Sequence, residues 1–176
     1  MLTKNKKIIF GVRNGFTLLE LMIVIGIIGI MTGIGFASFG SAKKHSALRA
    51  GQYEVTSAIK LAQSYALQGK SISGVTEKIC GYGFAFSDNT NYKIFYYTAG
   101  LDCAGAKIEN SIETQKLNGG IELSLPSDLS ETTIYFSIPS ATLTSESGGF
   151  PKTLQFSLGG DIKSVAVDSV GRITEN

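Results

Sequence analysis

The chain has no tryptophan, one histidine, two cysteines and three prolines among its 176 residues. Two cysteines are too few for a disulfide-dense mini-protein, and two cysteines with one histidine lack the spacing of a zinc site. A single histidine without a nucleophile elbow or a glycine-rich phosphate loop argues against hydrolase and nucleotide chemistry. We therefore expect a protein that is not an enzyme and holds no metal or other cofactor.

Charge is sparse, at 17% of residues, and it is unevenly placed. Residues 1–15 hold four cations and no acid, residues 16–39 hold the single charge Glu20, and residues 40–176 hold 12 cations against 13 acids. The formal net charge of +2 therefore comes from the N-terminus. Because the rest of the chain is close to neutral, nucleic acid is not an expected partner.

Residues 16–39 form a long apolar run, with sixteen apolar residues and four glycines. As a helix with a rise of about 1.5 Å per residue, the run spans roughly 36 Å, enough for a bilayer core of about 30 Å. A secretory signal has a shorter apolar region of about 7–15 residues. The small residues Gly40 and Ala42 leave removal of the whole segment before Lys43 as an alternative to a retained transmembrane helix.

Glu20 is the one charged residue in this run. A carboxylate in a membrane helix costs about 2–3 kcal/mol unless it is paired or lies near the headgroups. Tolerance near the headgroups is one interpretation, and a cationic partner is the other. Cleavage between Gly15 and Phe16 would create a free amine four residues before Glu20, and positions i and i+4 share a helix face.

Residues 15–30, GFTLLELMIVIGIIGI, resemble the class III signal of type IV pilins and type II secretion pseudopilins. The shared features are a short basic leader ending in glycine, an aromatic first mature residue and a glutamate at the fifth mature position. The resemblance implies that a membrane prepilin peptidase cuts after Gly15 and methylates the new N-terminus at Phe16. It also implies that Glu20 pairs with the N-terminal amine of a neighbouring subunit. Where the family commonly has a proline, this chain has Ala37.

The resemblance implies a single-pass cytoplasmic membrane protein with its N-terminus inside, which later joins a periplasmic or cell-surface filament. The expected partners are prepilin peptidase, like subunits in a helical filament, the cytoplasmic membrane and the pilus or secretion assembly machinery. Two alternative functions treat the resemblance as a coincidence. One is a membrane-anchored extracytoplasmic binding domain with a signal-anchor, and the other is a secreted enzyme cleaved near Ala42.

Residues 41–69 contain no proline and continue the helical pattern. Gly69 is the expected stop, and Gly51 is the expected weak point of this part of the helix. An apolar stripe at helical spacing predicts packing against a following sheet. Its members are Leu48, Val55, Ile59, Ala62 and Ala66.

From residue 79 onward the apolar pattern changes to a period of two, which predicts strands. The clearest hairpin joins residues 80–86 and 92–98, whereas residues 99–118 have weak periodicity and are interpreted as an irregular connection. Further strands are expected at 121–125, 132–138, 153–158, 163–168 and 172–174. Together these predict one antiparallel sheet of six or seven strands.

The predicted fold class is α+β, a long N-terminal helix packed on an antiparallel sheet. The predicted regions are a removed cytoplasmic leader (1–15), a transmembrane assembly helix (16–39), a protruding helix half (40–69) and a sheet domain (70–176). The second half of the chain also resembles, more faintly, minor pseudopilins of the GspH/FimT type, at residues 61–69 and 165–173. That family usually has an arginine in the first of these stretches, where this chain has Gln63.

Cys80 and Cys103 have 22 residues between them, and they either form a disulfide or are two separate buried thiols. We favour the bond for an extracytoplasmic domain, where the loop-entropy account values it at roughly 3 kcal/mol. His45, beside two lysines, is interpreted as a solvated helix residue. A set of acids without the spacing of a calcium loop is interpreted as solvated charge. They are Glu109, Glu113, Glu122, Asp128 and Glu131.

Overall fold

The computed structural model describes residues 15–99, 103, 107–144 and 149–176, so residues 1–14 of the predicted leader lie outside it. The described chain divides into a first unit that ends at Ser41 and a second unit, Ala42–Asn176. Helix α1 contributes to both units, and every strand belongs to the second. The elements are α1 (Leu18–Gln68), β1 (Ile79–Phe86), β2 (Asn91–Thr98), β3 (Ile108–Lys116), β4 (Glu122–Leu125), β5 (Ile134–Ser137), β6 (Leu143–Thr144), β7 (Lys152–Leu158), β8 (Asp161–Val167) and β9 (Ile173–Glu175).

Helix α1 ends where the sequence predicts. Gly69 has a φ of +55°, a left-handed conformation that glycine adopts without strain. The Gly69 N–H donates to the Ala66 carbonyl at 3.2 Å, and the Lys70 N–H donates to the Tyr65 carbonyl at 3.1 Å. These two bonds form a Schellman motif, which satisfies carbonyls that the end of a helix would leave unpaired.

The helix passes through Gly51 without interruption. Gly51 is buried, and a Cβ placed on it would lie 2.6 Å from Cδ1 of Ile121. The glycine therefore provides space for a core side chain that precedes β4.

The strands form two antiparallel sheets, so the prediction of a single sheet is wrong. The first sheet has the order β3-β2-β1-β5-β6, and the second has the order β4-β7-β8-β9. Between β3 and β4 the chain makes a 3-10 turn in which Gly119 and Gly120 have positive φ values of 80° and 73°. Strand β4 then pairs with β7, about thirty residues later, instead of with β3.

Strand β3 corrects the interpretation of residues 99–118 as an irregular connection. It pairs with β2 from Ile108 to Lys116 and forms one edge of the first sheet. Eight of its nine side chains are exposed, and only Asn110 is partly buried. Because both faces of this edge strand meet solvent, its sequence carries no apolar alternation.

The predicted apolar stripe of α1 is confirmed, because each of its five residues is at most 1% exposed. It packs in one core with inward side chains of both sheets, including Phe84, Phe136, Phe156 and Val165. The side chain of Gln52 connects α1 to the second sheet, since its Nε2 donates to the carbonyls of Ser164 at 2.7 Å and Asn176 at 3.2 Å.

A smaller aromatic cluster, which we call the outer cluster, lies on the other face of the first sheet. It consists of Ala85, Phe95, Tyr97 and Tyr135, each at most 4% exposed. The Tyr97 ring lies 5.1 Å from the Phe95 ring and 5.0 Å from the Tyr135 ring. Strand β1 faces this cluster with its small residues, and a Cβ on Gly83 would lie 2.3 Å from Cζ of Phe95.

Cys80 and Cys103 are joined by a disulfide, with their Cα atoms 5.6 Å apart. Cys80 belongs to β1, and Cys103 lies in the connection between β2 and β3. The bond attaches that connection to the middle of the first sheet.

Candidate functional site

The first unit presents an apolar surface that is exposed among the described residues. Every side chain from Leu18 to Ile34 is exposed, and the large apolar ones are between 43% and 76% exposed. Among the described residues, α1 is the one helix long and apolar enough to cross a membrane. A contiguous apolar surface of this size marks a membrane or protein contact.

Three glycines on this surface do not pack against any part of the chain that the structure describes. A Cβ added at Gly26, Gly29 or Gly33 would meet no atom within 4 Å. Glycine lowers helix propensity by about 1 kcal/mol, so three of them in one helix need a reason. Close approach of another helix is the usual reason for small residues in a membrane segment.

The start of α1 brings Thr17 and Glu20 together. The Thr17 hydroxyl oxygen accepts a hydrogen bond from the Glu20 N–H at 3.2 Å, and the Thr17 carbonyl accepts from the Leu21 N–H at 3.2 Å. Thr17 and Glu20 have the spacing of a capping box, and a carboxylate in the first turn is favoured by the helix dipole. The sequence interpretation missed this local role, although the Thr-x-x-Glu pattern was available to indicate it.

The carboxylate of Glu20 is nevertheless exposed and forms no ion pair with any residue that the structure describes. Gly15 and Phe16 precede the helix, and Phe16 is 81% exposed. The geometry therefore leaves the Gly15–Phe16 bond accessible and the Glu20 carboxylate open to a cation from another molecule. Cleavage, methylation and pairing at these three residues stay predictions.

A basic collar, which we define as Lys43, Lys44 and Arg49, follows the apolar segment. All three side chains are exposed, and they form no ion pair within the described part of the chain. The neighbouring His45 is exposed as well.

Two of the acids that the sequence analysis interprets as solvated charge, Glu109 and Asp128, have specific partners in the structure. Glu109 pairs with Lys93 across strands β3 and β2. Asp128 accepts a hydrogen bond from the Ser130 N–H at 2.8 Å, which lowers the pKa of its carboxyl and caps a short 3-10 helix. Over residues 15–99, 103, 107–144 and 149–176, no group of three or more metal-ligating side chains comes together.

An exposed apolar helix that continues into a compact α+β unit is a pilin-like architecture. Residues 12–36 match the family model of the prokaryotic N-terminal methylation motif. Two curated relatives from Pseudomonas aeruginosa, both named fimbrial protein, are each 35% identical to the chain over 79 residues. These findings support a similarity of the chain to the type IV pilin family.

The similarity to these relatives is partial. The aligned residues are 44% of this chain and 51% of each relative, so the chain spans about half the length of the curated relatives it matches. No solved structure matches the chain.

Proposed function

We propose that this protein is a structural subunit of a type IV pilus or of a type II secretion pseudopilus, with a role in assembly instead of catalysis. The observation that carries the proposal is the overlap of two features. The methylation motif at residues 12–36 coincides with the apolar helix whose side chains from Leu18 to Ile34 are exposed. The apolar helix would serve as a membrane anchor first and as the filament core after assembly.

In this proposal the prepilin peptidase cuts after Gly15 and methylates the amine of Phe16. The Glu20 carboxylate of one subunit then pairs with the N-terminal amine of the next. An unpaired charge in an apolar core is strongly unfavourable, whereas a paired one is tolerated. The pair would therefore select one axial register among the many that an apolar helix bundle allows.

Intact-mass analysis of the protein extracted from membranes tests the processing step. We expect an N-terminus at Phe16 that carries one added methyl group. An N-terminus at Met1 or at Lys43 would contradict the proposal, and soluble protein beginning at Lys43 in the medium would favour a secreted enzyme instead.

Substitution of Glu20 tests the assembly step. Glu20→Gln keeps the shape of the side chain and removes its charge, so we expect normal insertion and cleavage but a loss of sheared filaments. Glu77→Gln is the matched control, because Glu77 is an exposed acid of the second unit, outside the apolar helix. Equal filament yield from both variants would refute the proposed role of Glu20. Absence of the wild-type protein from sheared filaments would favour a monomeric anchored domain.

A finer proposal is that the protein is a minor subunit of the GspH/FimT type. The two stretches that carry this fainter resemblance, residues 61–69 and 165–173, come close together in the second unit. A Cβ on Gly171 would lie 3.0 Å from Nε2 of Gln63. The copy number of the protein in purified filaments tests this proposal, since a minor subunit is expected at a small fraction of the major one.

A further inference from the structure

An open cavity of about 310 Å³ lies in the second unit between α1 and the strands β2 and β3. Its apolar lining includes Ala58, Leu61 and Ile94, and its acidic lining consists of Glu54 and Glu113. We call it the acidic pocket. Its two carboxylates are 59 positions apart in the sequence and come from the helix and from the edge strand.

The carboxylates of the acidic pocket are fixed by neutral donors. The Tyr92 hydroxyl shares its one proton between Glu54 Oε1 at 3.0 Å and Gln115 Oε1 at 2.7 Å, and the Asn118 side-chain amide donates to Glu54 Oε2 at 3.4 Å. Glu113 Oε1 accepts from the side-chain amide of Gln115. Burial, the hydrogen bond to Glu54 and the charges of Glu54 and Glu113 raise the pKa of Tyr92, which keeps its hydroxyl protonated as a donor. Neither carboxylate forms an ion pair with a cation that the structure describes.

A cavity with an apolar lining and two carboxylates complements a cation on an aliphatic stem. Arginine fits this description well, because its stem packs on apolar atoms while its planar guanidinium can bond two carboxylate oxygens. Ordered neutral donors keep the carboxylates in place before the cation arrives, which lowers the ordering cost of binding.

The basic collar of the same protein provides such a cation. Arg49 is exposed and forms no ion pair within the described residues. Lys44 is a poorer choice, because its side chain lies along the β7–β8 turn, with Nζ 2.7 Å from the position of a Cβ on Gly159. Lys43 is the remaining alternative, and the experiment below includes it.

The spacing along the helix matches the register that assembly would impose. Arg49 precedes Glu54 by five residues, or about 7.5 Å of helix, and Phe16 precedes Glu20 by four residues, which is about 6 Å if Phe16 and Thr17 continue α1 in the assembled subunit. If the helices of neighbouring subunits run parallel, a single axial shift of about 6–8 Å aligns both pairs. This step rests on the proposed function, because it uses the pairing of Glu20 with a neighbouring N-terminus.

We propose that the Arg49 side chain of one subunit enters the acidic pocket of a neighbouring subunit and binds Glu54 and Glu113. The contact adds a second charge-selected interaction to the one at Glu20, outside the apolar core. It makes the second unit a participant in setting the register between subunits.

Cross-linking between two co-expressed copies tests the contact directly. One copy carries Arg49→Cys, a second copy of different size carries Glu113→Cys, and a bismaleimide with a short spacer is added to the filaments. Cys80 and Cys103 are bonded to each other and do not compete for the reagent. We expect a mixed cross-linked dimer in filaments and none in detergent-dispersed subunits.

Two matched pairs identify the residues involved. Glu122→Cys replaces Glu113→Cys in the first control, since Glu122 is an exposed acid on β4 of the second sheet. Lys43→Cys replaces Arg49→Cys in the second control. A cross-link that forms equally with Glu122→Cys, or better from Lys43→Cys, would overturn the assignment.

A charge exchange gives an independent readout. Arg49→Glu and Glu113→Arg should each lower filament yield at least tenfold, and their combination in one chain should restore most of it. If the tyrosine circular dichroism shows that the second unit is folded and filament yield is still not restored, the proposal is overturned. Filaments that contain the Arg49→Cys and Glu113→Cys copies and show no cross-link contradict only this inference, whereas absence of wild-type filaments contradicts the proposed function itself.

Discussion

Gly83 in the central strand β1 is a position where one methyl group should be costly. A Cβ there would lie 2.3 Å from Cζ of Phe95, and 2.9 Å from the carbonyl oxygen of Ile134 on β5. Phe95 is fully buried in the outer cluster, so its ring has no solvent to move into. The alanine variant must shift either the ring or the pairing of β1 with β5.

The change in the free energy of unfolding caused by Gly83→Ala is the balance of two opposing effects. Overpacking of a well-packed interior costs about 1–3 kcal/mol, and contact with a backbone carbonyl puts Gly83→Ala at the upper end. Replacing glycine also restricts the unfolded chain, which returns about 0.4–1 kcal/mol. We expect a net loss of about 2 kcal/mol in the free energy of unfolding, which is a large fraction of the usual 5–15 kcal/mol.

Urea unfolding of the full chain in detergent, followed by near-ultraviolet circular dichroism of tyrosine, measures this loss. All seven tyrosines lie in the second unit, so the signal reports its unfolding. Gly51→Ala is the matched control, because the atom it meets is Cδ1 of Ile121, the end of a flexible side chain. Alanine is also favoured over glycine in a helix by about 1 kcal/mol, so this variant should stay within about 1 kcal/mol of wild type.

A second variant shows whether the ring causes the loss. Phe95→Leu removes the ring atoms that the new methyl group would meet, so the double variant should be more stable than the sum of the single effects by about 1 kcal/mol or more. Equal stability of Gly83→Ala and Gly51→Ala, or strict additivity with Phe95→Leu, would refute this reasoning.

Three further predictions concern hydrogen bonds of the second unit. The hydroxyl of Thr56 is buried with no partner among the described residues, so Thr56→Val should stabilise the unit by about 1 kcal/mol. Thr132→Val should instead lower the free energy of unfolding by about 1–3 kcal/mol, because the Thr132 hydroxyl accepts a hydrogen bond from the Phe86 N–H at 2.9 Å. The urea midpoints of Thr56→Val and Thr132→Val measure both effects. Hydrogen bonds, chiefly from the Asn91 side chain, hold the pKa of Asp88 well below its usual range. As the pH falls, the Asp88 carboxyl therefore takes up a proton in the unfolded chain before it does so in the folded chain. The free energy of unfolding should decrease as the pH drops through about 4, and it should decrease less in Asp88→Asn. Urea midpoints of the wild-type protein that do not differ between about pH 6 and pH 3 would contradict this prediction.

Elements specified by local chemistry were predictable from the sequence. The helix end at Gly69 needs only a residue that accepts positive φ, and the β1–β2 hairpin needs only alternation on both sides of a polar turn. The apolar segment at residues 16–39 was visible for the same reason, since it depends on composition alone.

Features that depend on distant pairings were not predictable. Strand β3 has solvent on both faces, so no periodicity marks it, and its pairing with β2 is what makes it a strand. The division into two sheets depends on β4 pairing with β7. The acidic pocket likewise unites Glu54 and Glu113 only through the packing of the helix beside the edge strand.

The hydrogen bonds of Gln52 have a consequence for the order in which the second unit folds. Its partners Ser164 and Asn176 lie 112 and 124 residues later in the chain. A chain that emerges N-terminus first leaves the apolar stripe of α1 without its partners from the second sheet until β7 and β8 have followed, and contacts of such long sequence separation form slowly. Strand β8 therefore completes a core that the helix begins, and until it forms the helix exposes apolar surface to other molecules.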